Sequence, residues 1–133
     1  MEFSLMPLTE QETSLCAARL ARFGLALTQE QMGALQSGRA DALRTTGRVE
    51  LGGSILPQLI GAFCDSPWLT QESLTEELLA LQEIFYHWKN EVGDTVPDDE
   101  LLSFLRRAYD RKGAAQALTG FTVREVKGEM ENA

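Results

Sequence analysis

Glu83, His87 and Glu91 stand four residues apart, a spacing that lifts each about one turn above the last on a helix. Imidazole and carboxylate both ligate zinc and other divalent cations, so this trio is the first place to look for metal-assisted chemistry. His87 is the only histidine in the chain, and so the only side chain whose ordinary pKa lies near neutrality. The angular positions point the other way. At about 100° per residue from Leu74, the apolar residues Leu74, Leu78, Leu81, Phe85, Trp88 and Val92 cluster around 0°. Glu83, His87 and Glu91 fall at about 180°, 220° and 260°, beside Glu76 at about 200°. That is the solvated back of an amphipathic helix, where carboxylates and a histidine are expected without a metal. The reading is no metal ligand set and no catalytic residue here.

Gly52, Gly53 and Ser54 form the second candidate. Glycines leading into a helix leave backbone N–H groups free to hold a phosphate or carboxylate. The lysine of a P-loop is missing, since Ile55 and Leu56 follow Ser54, and the three spaced glycines of a dinucleotide site are missing too. A turn followed by a Ser54 N-cap is the simpler expectation. Cys16 and Cys64 sit among apolar neighbours and lack the spacing of a metal knuckle or redox pair, so both are expected as reduced, buried thiols. Cys64, Asp65 and Ser66 bring reactive types together, yet neighbours at a helix end point different ways. Ser14, Ser54, Ser66 and Ser103 have no nucleophile-elbow context.

The elements that must position these residues are mostly helical. Thr9 to Glu12 reads as a capping box opening a helix over residues 10–23, stopped by Gly24. Thr28 to Gln31 repeats the start signal for a short second helix carrying Met32 and Leu35, ending at Gly38, with a further turn or two through 40–44. Ser54 opens a third helix over 55–64, apolar nearly all round, with Pro57 in its first turn. The fourth, over 70–92, has the clearest periodicity in the chain, and Leu79, Ile84 and Tyr86 widen its stripe. The fifth spans 98–112, with Asp98, Asp99 and Glu100 at its positive end and Arg106, Arg107, Arg111 and Lys112 at its negative end. Residues 114–118 add one turn. Residues 48–51 and 121–126 have strand propensity and leave room for one small two-stranded β element. Residues 1–8 and 128–133 are expected as flexible ends.

The formal charge of −8 over 133 residues is unevenly spread. Residues 1–48 carry five basic and five acidic side chains, residues 49–104 one and eleven, and residues 105–133 six and four. The acidic centre repels phosphate backbones and anionic lipid, which argues against nucleic-acid and membrane binding. Arg39, Arg44 and Arg48 lend a basic tint to a segment that superficially resembles a helix-turn-helix. Its third helix, however, offers only Gln58 to read base edges. No apolar run is long enough to span a bilayer, and Met1 to Pro7 has neither the basic start nor the apolar run of a secretory signal, so a cytoplasmic location is expected.

The run from Gly53 through Ile55, Pro57, Leu59, Ile60, Phe63 and Asp65 to Pro67, with Leu81 to Tyr86 and Asp98 to Leu102, resembles a family of small bacterial proteins known as a domain of unknown function. The resemblance covers roughly residues 45–110. It implies a cytoplasmic bacterial protein and brings no catalytic residues with it.

These readings converge on an all-α chain, a single domain over 1–133 built as a bundle of about five helices. A non-enzymatic interaction or assembly protein, with a protein partner or a homodimer and no cofactor, is the expected function. The alternative is a small-ligand or metal-dependent enzyme using the Glu83 and His87 face or the helix N-terminus at Gly52, Gly53 and Ser54. The fourth helix motivates the homodimer: its apolar residues cover well over half the circumference, so either neighbours enclose it or part of it stays open as an interface.

Overall fold

The computed structural model describes residues 8–48, 50, 54–93, 95–121 and 123–131. They form an all-α bundle of α1 (Glu10–Ala21), α2 (Gln29–Thr46), α3 (Leu56–Phe63), α4 (Leu74–Val92), α5 (Asp98–Lys112) and α6 (Val123–Glu131), with a 3-10 helix, Ala115–Gly120, before α6.

Both capping boxes form. Thr9 Oγ1 accepts the Glu12 N–H and Glu12 Oε1 the Thr9 N–H, each at 3.0 Å. Thr28 and Gln31 repeat the exchange at 2.9 and 3.0 Å. The second helix does not stop at Gly38, however. It runs on for 18 residues and ends at Gly47, whose φ of 70° is the left-handed conformation that glycine adopts without strain. Gly38 marks a helix crossing instead: a Cβ there would stand 2.7 Å from Leu79 Cδ2 and 3.4 Å from Gln82 Nε2 of α4. A glycine read as a stop is thus a point of close approach between α2 and α4.

α4 is the hub. It packs against α2, α3, α5, α6 and the 3-10 helix, and its stripe residues Leu74, Leu78, Leu81, Phe85, Trp88 and Val92 are all buried together with Ile84 and Tyr86. The wide apolar circumference is therefore enclosed by neighbours rather than left open. Residues 70–73, expected as its first turn, form a separate turn tied by the Thr70 and Ser73 hydroxyls at 2.9 Å. α1 packs on α3, and its backbone does not approach that of α2 closely, so a groove lies between the first two helices.

The small β element is not there. Residues 123–126 lie in α6, where Val126 is fully buried and the helix packs on α4 and α5. The segment has strand propensity, but burial of Val126 against two helices outweighs so weak a preference. Val49 and Leu51 lie outside the described residues, and no strand occurs among those described. The helix also runs through residues 128–131, part of the end expected to fray.

Candidate functional site

Glu83 and His87 project from α4 into a cleft of about 400 Å³ between α2 and α4, facing Asp41, Thr45 and Thr46 across it. Both are exposed, as is Glu91, which does not line the cleft. His87 rests edge-on against the Trp88 ring at 4.9 Å between centroids, and Asp41 pairs with Arg44 on its own helix. Among the described residues, no three His, Cys, Asp or Glu side chains gather closely enough to hold a metal ion.

Gly52 and Gly53 lie outside the described residues. Ser54 lies one residue before the N-cap of α3, which is Ile55 rather than Ser54, and its Oγ accepts the Leu56 N–H at 3.0 Å. The Ser54 N–H already holds an anion, because Glu12 Oε2 of α1 accepts it at 2.8 Å. One carboxylate therefore closes the capping box of α1 and fastens the start of α3. The Thr9 N–H holds the Glu12 carboxyl below the ordinary glutamate range; burial opposes this, and the Ser54 N–H reinforces it. A carboxyl lowered by folding contributes stability above its unfolded pKa and loses it as pH falls through the folded value. Glu12→Ala is expected to cost about 1–2 kcal/mol near pH 7, as a lost cap with one further hydrogen bond would. That difference should shrink on acidification below about pH 4, once the wild-type carboxyl is protonated as well. Urea melts of both proteins at pH 7 and pH 3 check the expectation.

The most concentrated polar chemistry is elsewhere. Arg39 of α2 is buried, and its Nε donates to Glu50 Oε1 at 2.6 Å. Tyr86 of α4, also buried, donates its hydroxyl to both Glu50 oxygens, at 2.8 and 2.7 Å. Burial works against the Arg39 charge, but the Glu50 carboxylate more than offsets it, so the guanidinium pKa is raised. Burial and then the Glu50 charge push the Tyr86 phenol far above its ordinary value, which keeps it a proton donor. Sequence reasoning missed this cluster: Arg39 was read as basic tint, Glu50 as part of a strand and Tyr86 as apolar widening. One signal was available. Met32, Leu35, Arg39 and Leu43 follow helical spacing along the buried face of α2, so a charge interrupts an apolar stripe.

A second polar cluster ties α3 to α5. Arg106 donates to the Ala62 carbonyl at 2.7 Å and pairs with Asp65 and, at 2.8 Å, Asp110. Ser66 Oγ donates to Asp110 Oδ1 at 2.7 Å, and the Trp68 indole N–H to the Asp110 carbonyl at 3.1 Å. Asp65 and Ser66 thus serve a clamp. Burial, then the Asp65 charge, raises the Cys64 thiol, and burial raises Cys16 to about 11, so neither is a ready thiolate. Both are free and buried. α3 packs between α1 and α5, with Leu56, Pro57, Leu59, Ile60 and Phe63 buried.

The groove between α1 and α2 measures about 540 Å³, and its lining carries no charged residue. Leu20, Leu25 and Met32 form its buried floor, and the exposed Ala17, Ala21 and Gly33 its walls. The Gln71 carboxamide fixes one end by bonding both the N–H and the carbonyl of Ala26, each at 2.8 Å.

With this geometry in place, the chain is matched over residues 12–132 by the model of a family of unknown function, DUF6323. The chain belongs to that family. The match extends the resemblance seen over 45–110 towards both ends and takes in the polar clusters and the groove residues. No curated protein and no solved structure matches the chain. No helix among the described residues is long and apolar enough to cross a membrane.

Proposed function

We propose that this DUF6323 chain is a cytoplasmic bacterial interaction module that catalyses no reaction, and that the α1/α2 groove is its contact surface, filled first by a second copy of the chain. The observation that carries this is the groove's uncharged lining in a protein where 24% of residues are charged. Apolar surface kept free of charge and open to water normally marks an interface. Charge distribution supports a second copy as occupant. Residues 1–48, which hold α1 and α2, sum to zero, whereas 49–104 carry the acidic excess. Two copies can therefore meet through α1 and α2 without bringing like charge together, and two-fold pairing is the commonest way to cover such a surface.

Light scattering over a hundredfold concentration range tests this. The mass is expected to rise from the 14.7 kDa monomer towards twice that value. Ala17→Glu, a charge on an exposed groove wall, is expected to hold it at the monomer. A wild-type mass fixed at the monomer throughout would overturn self-association, and a dimer untouched by Ala17→Glu would move the interface away from the groove. The competing reading, metal-dependent chemistry at Glu83 and His87, predicts stoichiometric metal that His87→Ala removes; elemental analysis of untagged protein decides it.

A further inference from the structure

We infer that two copies meet through the solvent face of α1, each α1 antiparallel to the other across a two-fold axis, with Glu10 of one copy beside Arg22 of the second. The inference rests on self-association at the α1/α2 groove and names the element of the second copy that lies against it. The groove is too small to hold a dimer by itself. Its α1 wall runs from Thr13 to Ala21, about 12 Å of helix, whereas a stable interface covers about 800 Å² on each partner. A second copy therefore has to extend over the rim, which on the α1 side is formed by the exposed Ala17 and Ala21. At about 100° per residue from the buried Cys16, these two stand at about 100° and 140°. The exposed Ser14 and Ala18 come next, at about 160° and 200°, on the side away from the core.

Charge complementarity selects a second copy and its orientation. α1 and its C-cap carry Glu10, Glu12, Arg19 and Arg22. Two of these are engaged inside the fold, Glu12 accepting the Ser54 N–H and Arg19 donating to the Pro57 carbonyl. Glu10 and Arg22 are exposed, at about 120° and 240°, at opposite ends of the open face. They stand about 18 Å apart along the helix and cannot pair within one chain. Neither makes an ion pair among the described residues. The helix dipole accounts for an acid at the start and a base at the end. A parallel pairing would set Glu10 against Glu10, whereas an antiparallel one joins opposite charges twice. One centre serves every contact: Ser14 and Ala18 lie two residues to either side of Cys16, and Glu10 and Arg22 lie six. A two-fold axis at that level therefore sets Ser14 against Ala18 of the second copy and Glu10 against its Arg22. The small side chains at 14 and 18 let the helix axes approach to about 8 Å.

The test is sedimentation equilibrium at low salt on wild type, Glu10→Arg, Arg22→Glu and an equal mixture of the two variants. Each variant alone brings like charges together at two places in the dimer, so its dimer Kd is expected to rise about tenfold. In the mixture every reversed residue meets the opposite charge, and the two variants are expected to pair with each other to within about threefold of the wild-type affinity. A variant that had merely lost helix stability would not recover on mixing, so the mixture separates pairing from folding. A wild-type dimer whose affinity neither reversal changes, or a mixture no tighter than its components, overturns the α1 pairing and leaves self-association at the groove standing. A wild type that stays monomeric throughout overturns both.

Discussion

Leu81→Asp is expected to leave the protein largely unfolded in water, whereas Glu76→Lys on the same helix changes stability by about 0.5 kcal/mol or less. Leu81 is fully buried at the middle of α4, the helix that touches most of its neighbours. Truncating such a leucine costs about 2–5 kcal/mol through lost contacts and the space left behind. Burying an unpaired carboxylate in its place adds several more. Together these reach the whole stability of an ordinary domain, about 5–15 kcal/mol. Glu76 is exposed on the opposite side. Placing Lys there loses only a small, solvent-screened interaction with the helix N-terminus. Urea melts followed by circular dichroism compare the two, and similar midpoints would mean that the phase of α4 is wrong.

The second large effect is at Arg39. Arg39→Met is expected to cost about 3 kcal/mol, because Glu50 and the Tyr86 hydroxyl then lose the cation that balances them. The figure lies at the low end for a broken buried pair because the Glu50 side chain keeps 19% of its exposure. Replacing the whole cluster is expected to be far milder. Arg39→Met with Glu50→Leu and Tyr86→Phe removes the three mutually bonded polar groups together and should return to within about 1 kcal/mol of wild type. Denaturant midpoints of the single and triple variants make the comparison. A single variant as stable as wild type would show that the pair contributes nothing. A triple variant as weak as the single would show that packing, not charge, holds the cluster.

Much of the helical framework was legible because local rules and tertiary demands agree there. The capping boxes at Thr9 and Thr28, the six-member stripe of α4 and the charge-sorted ends of α5 are short-range patterns with short-range physics. The α5 bounds were read to the residue because acidic groups open that helix and Gly113 closes it. Legibility failed where one residue type serves two purposes. Gly38 stops a helix when nothing approaches it, but Leu79 approaches it, and only the α2–α4 crossing reveals that. Val126 favours a strand until α4 and α5 offer a helical face somewhere to bury.

The site divides along the same line. By itself the sequence determined that Glu83, His87 and Glu91 share the solvated side of α4, because helical phase is fixed by spacing alone. It also determined that residues 1–48 balance their charges while the acidic excess lies beyond them. Only the tertiary structure decided that Glu12 fastens the Ser54 N–H, 42 residues away in the chain, and that Arg39, Glu50 and Tyr86 meet. Only it decided that α1 leans on α3 and leaves a groove beside α2. The physical reason is range. Capping and periodicity act within a few residues, whereas a carboxylate finds its cation only after the helices carrying them have packed.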